Sequence, residues 1–137
     1  INPERFCMEI KDANGVVICI ILRSTEIVKK RNFITLESEE MQFASFNYSK
    51  GSSVKRHIHN LIERKIMTTS EAIVVLEGKI EVKIYDNSLK FLNKVELYEK
   101  DSILMLSGGH EINILEDSKF IEFKQGPYDQ LQDKSLF

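Results

Sequence analysis

The chain has 137 residues, 42% hydrophobic and 29% charged, which suits one folded domain with a substantial hydrophobic core and excludes a disordered chain. Nineteen basic against twenty-one acidic residues leave a formal net charge of −2, so the basic footprint of a nucleic-acid partner is missing. The longest apolar run, 16–22, is about a third of the roughly 20 residues that a membrane span needs, and it follows acidic Glu4, Glu9 and Asp12 instead of a basic leader, so no membrane partner and no signal peptide is expected.

Cys7 and Cys19 are too few for a disulfide scaffold and form no Cys-x-x-Cys pair, so the expectation is a reduced, cytoplasmic protein. Proline occurs only at Pro3 and Pro127, and no linker or fixed-period repeat divides residues 1–137, which read as a single domain. Short runs rich in Val, Ile, Phe and Tyr, bounded by turn-forming residues, predict strands over 16–23, 33–36, 42–48, 53–59, 66–69, 72–76, 80–85, 94–98, 102–106, 110–115 and 120–124. The first of these is a buried strand, and residues 16–36 are expected to extend a sheet edge. Between 72 and 85 an apolar strand, the turn Glu77-Gly78-Lys79 and a strict alternation of Ile80, Val82 and Ile84 with Lys79, Glu81 and Lys83 read as a hairpin with one buried face. Helix is confined to turns at 37–41, capped by Ser38, and at 128–134. The fold class is therefore all-β.

All three histidines belong to one argument. His57 and His59, two apart in a strand-like segment, project from the same face, and His110 opens another strand. Neutral imidazoles suit zinc, iron, manganese, nickel or copper, whereas a hard-ion site is built mainly of oxygens. Around them stands a frame: Gly51, five residues, His57-Ile58-His59, and later Glu71, six residues, Gly78. Downstream, Lys100 to His110 ends in Ser107-Gly108-Gly109-His110, with Asn113 beyond.

These residues resemble the two motifs of the cupin superfamily over about residues 42–124. The resemblance implies a double-stranded β-helix, a jelly-roll barrel, with one divalent transition metal (zinc, iron, manganese or nickel) held by His57, His59, His110 and a glutamate. It departs from the family pattern in the second motif, where Lys100 replaces the leading glycine, Leu106 replaces the proline and Asn113 is displaced. It departs again between His59 and Glu71, where eleven residues stand in place of three or four. Either a hairpin is inserted over 60–70 and Glu71 remains the ligand, or Glu63, at the family's own spacing, takes its place. The distance from Glu71 to Gly78 favours Glu71. A three-histidine site completed by water is the third arrangement.

A closer resemblance joins the chain to small bacterial cupins found among surface-polysaccharide and sugar-nucleotide genes, through His57-Ile58-His59-Asn60, Thr69-Ser70-Glu71, Gly108-Gly109-His110, Lys124 to Tyr128 and Asp133-Lys134. It implies a small polar molecule as ligand or substrate, with a sugar derivative as the expected class, and a homodimer. In an enzyme of this kind, whichever of Glu63 and Glu71 is not a ligand moves a proton. Arg64 then grips a carboxylate or phosphate, unless it is an exposed loop residue. The alternative is a non-catalytic binding or sensor module in which the metal anchors the ligand or staples the fold.

Tyr128 either closes the pocket or marks the end of the last strand. Gln42, Phe46 and Tyr48 are assigned to core packing. Glu122 and Lys124 alternate with Ile121 and Phe123, facing either solvent or a subunit interface. No nucleophile has a base partner in sequence, and no phosphate-binding glycine loop is present.

Overall fold

The computed structural model describes residues 7–137. Within them lie β1 (Met8–Lys11), β2 (Val17–Leu22), β3 (Arg31–Phe33), β4 (Ala44–Phe46), β5 (Glu71–Glu77), β6 (Lys79–Tyr85), β7 (Phe91–Tyr98), β8 (Ser102–Met105), β9 (Gly109–Ile114) and β10 (Lys119–Lys124), with one short 3-10 turn at Ser24–Glu26. All pairings are antiparallel. The strands form a five-stranded sheet in the order β1-β2-β8-β5-β10, a three-stranded sheet β7-β6-β9 and a two-stranded ribbon β3-β4. The all-β, antiparallel architecture expected from the sequence is present; no ladder joins the sheets into a closed barrel.

The main core lies between the two larger sheets. Ile73 and Val75 of β5 and Ile103 of β8 face Ile80, Val82 and Ile84 of β6 and Leu97 of β7, all at most 1% exposed. The alternation in 80–85 therefore does bury one face, as its period requires. A second apolar layer lies behind the five-stranded sheet, where Ile20, Leu22, Leu104 and Leu106 are covered by Ile27, Ile34, Met41 and Phe43. Sandwiched between these layers, β2 is buried on both faces, so its sequence is a continuous apolar run without alternation. Residues 16–36 do not form the sheet edge expected of them: β2 lies between β1 and β8, β1 is the outermost strand, and β3 belongs to the separate ribbon. β1 was not expected, because Met8-Glu9-Ile10-Lys11 is too short to display a period.

Three further expectations need correction. The segment 72–85 is not a hairpin: β5 pairs with β8 and β10, whereas β6 pairs with β7 and β9, so Glu77-Gly78-Lys79 carries the chain from one sheet to the other. Gly78 takes φ +85° there, and a Cβ would collide with the Asp117 carbonyl and Ser118. The strands expected at 53–59 and 66–69 are absent; residues 47–70 have only an isolated turn near 50–51. A strand-forming sequence becomes a strand only where its backbone meets a ladder, and this stretch meets none in its own chain. Phe46 and Tyr48 are exposed and stack on each other, with centroids 5.9 Å apart, instead of packing in the core. Gln42 is exposed as well, and its amide braces the 36–42 turn through the Leu36 carbonyl at 2.9 Å.

Candidate metal centre

Strand parity aims two of the candidate ligands at each other. Glu71 shares its face of β5 with Ile73 and Val75, which lie in the main core, so its carboxyl points into the gap between the sheets. His110 shares its face of β9 with Ile112, which packs on the same core from the other side. His110 Nε2 and Glu71 Oε1 are 3.7 Å apart. That is too long for a hydrogen bond. It is close to the separation of about 3.4 Å expected for two ligands each about 2.1 Å from a shared ion at a tetrahedral angle.

β10 adds charge to the same face. In register, Lys124 stands opposite Glu71 and Glu122 opposite Ile73, so both turn toward the gap. Burial, and then the neighbouring Glu122 carboxylate, push the Glu71 carboxyl up to about 7. Burial holds the His110 imidazole below its ordinary range, against the opposing pull of Glu122. Lys124 offsets part of this acidity, drawing the Glu71 carboxyl down while its ammonium is engaged by Asp133 at 3.1 Å and lies 4.9 Å from the ring of Tyr128, and Lys134 adds a second positive charge near His110. A neutral imidazole and a carboxyl 3.7 Å apart are two donors of the kind a divalent cation takes, and they need further ligands to complete a centre. Glu122, read in the sequence as facing solvent or a subunit interface, and Asp133 were not expected beside Glu71. Alternation placed Glu122 on one face of a strand without saying which face turns inward.

His57 and His59 form a second pair, on the 47–70 segment. Their ring centroids are 5.2 Å apart, edge to face. A carbonyl can only accept, so the 2.7 Å contact between His57 Nδ1 and the Lys55 oxygen makes Nδ1 the protonated nitrogen and leaves the Nε2 lone pair for a metal. Within one chain this pair does not join Glu71 and His110: among the described residues, no three His, Cys, Asp or Glu side chains gather closely enough to hold an ion. The donor chemistry fits, but the two halves stand apart.

Glu63 and Arg64 are exposed on the same segment as the histidine pair. Tyr128 is exposed at the mouth, over Lys124.

No protein-family model, no curated protein and no solved structure matches the chain.

Proposed function

We propose that the protein is a metal-dependent cupin, a double-stranded β-helix in which His57, His59, Glu71 and His110 hold one divalent transition ion. A small polar molecule, with a sugar derivative as the expected class, binds at that ion. The observation that carries this reading is the approach of His110 and Glu71 to 3.7 Å from facing sheets, with the Glu122 carboxyl beside them.

Backbone geometry supports the same reading. Gly51 and Gly78, at glycine positions of the first motif, take φ +88° and +85°, a region that glycine enters freely. Lys100, standing where the second motif has glycine, takes φ +73° despite its side chain.

Such an ion would act as a Lewis acid, polarising a carbonyl or hydroxyl of the bound molecule. Of the chain's own groups, Glu122 stands beside Glu71 without being one of the four ligands, and it is the carboxylate positioned to exchange a proton with that molecule. Glu63 and Arg64 take part only when the segment that carries them reaches the mouth.

The test is elemental analysis of untagged protein, repeated for the His57→Ala/His59→Ala double variant. One ion per chain, lost in the variant, is the expected result. A wild-type protein that takes up no metal on reconstitution ends this reading.

The corner also lacks a nucleophile and a second acid–base pair, which favours a second reading: a barrel that binds or senses a small molecule without turning it over. Turnover of a candidate sugar by the wild type, abolished in His57→Ala, disposes of that version.

A further inference from the structure

An arm without a strand partner and a strand edge without an arm occur in the same chain. Residues 53–66 belong to no helix or strand, and no backbone N–H or C=O among them bonds to another backbone group of the described residues. Their large apolar side chains face water: Ile58 is 86% exposed and Leu61 fully so, with Val54 and Ile62 also exposed. The arm is tied down only where it returns, by Glu40, whose carboxylate accepts from the Thr68 amide at 2.9 Å and from the Thr68 hydroxyl at 2.6 Å. Nothing within the chain repays the ordering of so apolar a segment.

The complementary vacancy is the outer edge of β9. Among the described residues that strand bonds only to β6, so its other edge has no strand partner there, and His110 lies on its inward face. Ten residues of arm, 53–62, drawn out as a strand, span roughly 33 Å at about 3.3 Å per residue, enough to cover the six residues of β9. The arm carries Lys55, Arg56, Arg64 and Lys65 against one acid, Glu63, and the groups around His110 include the acids Glu71 and Glu122 as well as Lys124 and Lys134. The arm's histidine pair stands apart from its own chain's Glu71 and His110, so the arm that completes such a centre comes from another copy.

We propose that the occupant of this edge is the arm of a second copy of the chain. Two copies exchange arms about a twofold axis, each arm adds a fourth strand beside the partner's β9, and each centre is built from His57 and His59 of one copy with Glu71 and His110 of the other. The exchange is self-complementary and closes at a dimer, and it satisfies an edge that invites pairing. The composition of the centre rests on the metal reading above; the exchange of arms does not.

Two measurements separate the two. First, light scattering compares the wild type with Ile58→Asp/Leu61→Asp. These positions are solvent-exposed in the isolated chain, so the core is expected to fold, as circular dichroism will verify. The expected result is a wild-type dimer and a variant monomer. A wild-type monomer, or a variant that stays dimeric, overturns the exchange.

Second, Co²⁺ absorption is read on mixed dimers, co-expressed with two different tags, of His57→Ala/His59→Ala with His110→Ala. Each homodimer is expected to bind no Co²⁺, while the mixed dimer recovers one intact centre, half the wild-type amount. A wild type that binds Co²⁺ while the mixed dimer binds none places the arm on its own chain; the exchange is then wrong and the metal centre stands. If the wild type binds no metal, the metal reading fails, and the light-scattering result alone decides the exchange.

Discussion

His110 Nε2 stands 3.7 Å from Glu71 Oε1, each side chain reaching across from a different sheet. Sequence spacing left Glu71, the favoured residue, and Glu63 in competition for the carboxylate ligand; Glu71 stands beside His110, whereas Glu63 is exposed on the arm. Glu71→Gln is therefore expected to weaken metal affinity by about 100-fold or more, a larger loss than removing an outer partner of a ligand causes. Glu63→Gln is expected to change it less than about threefold, within the range of a solvated surface change. Calorimetric titration with Zn²⁺ of both variants and the wild type checks this. Equal losses in the two variants would count against Glu71 as the ligand.

The raised Glu71 carboxyl also makes a prediction about pH. Its folded value of about 7 lies above the ordinary 4.5, so between those values the folded metal-free protein holds a proton that the unfolded chain has released. Stability then falls as pH rises through this window. His110 acts in the opposite direction, because its lowered value makes the folded state the poorer proton binder below about 6.5. Comparison with Glu71→Gln isolates the carboxyl: the variant is expected to gain on the wild type by about 1–2 kcal/mol between about pH 5 and about pH 8, after discounting for the open mouth. Urea unfolding at each pH, without metal, measures the difference. Saturating Zn²⁺ is expected to remove this penalty, since metal binding needs the ionised carboxylate. A difference between the two proteins that does not change with pH would refute the assignment.

Sequence alone read some parts of this molecule well and others poorly, for identifiable reasons. Ile80, Val82 and Ile84 announced their buried face because one-sided burial writes a period of two into a strand. His110 and Glu71, which motif spacing singles out, are brought within 3.7 Å of each other. The pairing partners were not legible. A short turn containing glycine looks the same whether the flanking strands pair or part, and Gly78 parts them. The strand expected at 53–59 is absent, because a strand-forming pattern also needs an edge to join, and the sequence pattern does not say where that edge lies. Glu122 was assigned to solvent or a subunit interface because an alternating strand reports two faces without naming the inner one.

Gly78 is the joint between the two sheets, and its replacement tests that role. Alanine there adopts a left-handed φ of +85° at a cost, and its Cβ strikes the Asp117 carbonyl and approaches the Ser118 Cα to 2.8 Å. Those obstacles are backbone atoms that cannot rotate aside. Gly78→Ala is expected to lose about 2–4 kcal/mol, above the usual cost of a left-handed alanine. A urea midpoint that falls without a change in slope would support this. A loss below about 1 kcal/mol would mean that the corner relaxes freely.

Asp101 is 6% exposed and accepts from both the Arg23 guanidinium and the Tyr98 amide, the latter at 2.8 Å. Arg23 also donates to the Glu96 carbonyl at 2.8 Å, so one cation ties β2 to the β7–β8 turn. Asp101→Ala strands a half-buried guanidinium and a backbone N–H together. The expected loss is about 2–4 kcal/mol, somewhat below that for a fully buried pair because Arg23 retains some water. Asp101→Asn, which keeps an acceptor, is expected to lose about half as much. Equal losses for the two variants in chemical denaturation would assign the effect to charge alone.

Lys100 offers the opposite kind of change. It occupies the left-handed region at φ +73° in the tight turn between β7 and β8, where Asp101 N–H donates to the Tyr98 carbonyl at 2.9 Å. A side chain with a Cβ pays roughly 1 kcal/mol for that conformation, whereas glycine adopts it freely. Glycine also loses more freedom on folding, which returns part of the gain. Lys100 is exposed, so no packing is lost with its side chain. Lys100→Gly is therefore expected to stabilise the protein by about 0.5–1 kcal/mol, and Lys100→Ala, which keeps the Cβ, to leave stability nearly unchanged. Parallel urea titrations of the three proteins distinguish backbone relief from loss of charge. If alanine stabilises as much as glycine, the lysine's charge is the cause, and the left-handed turn no longer supports a motif position that calls for glycine.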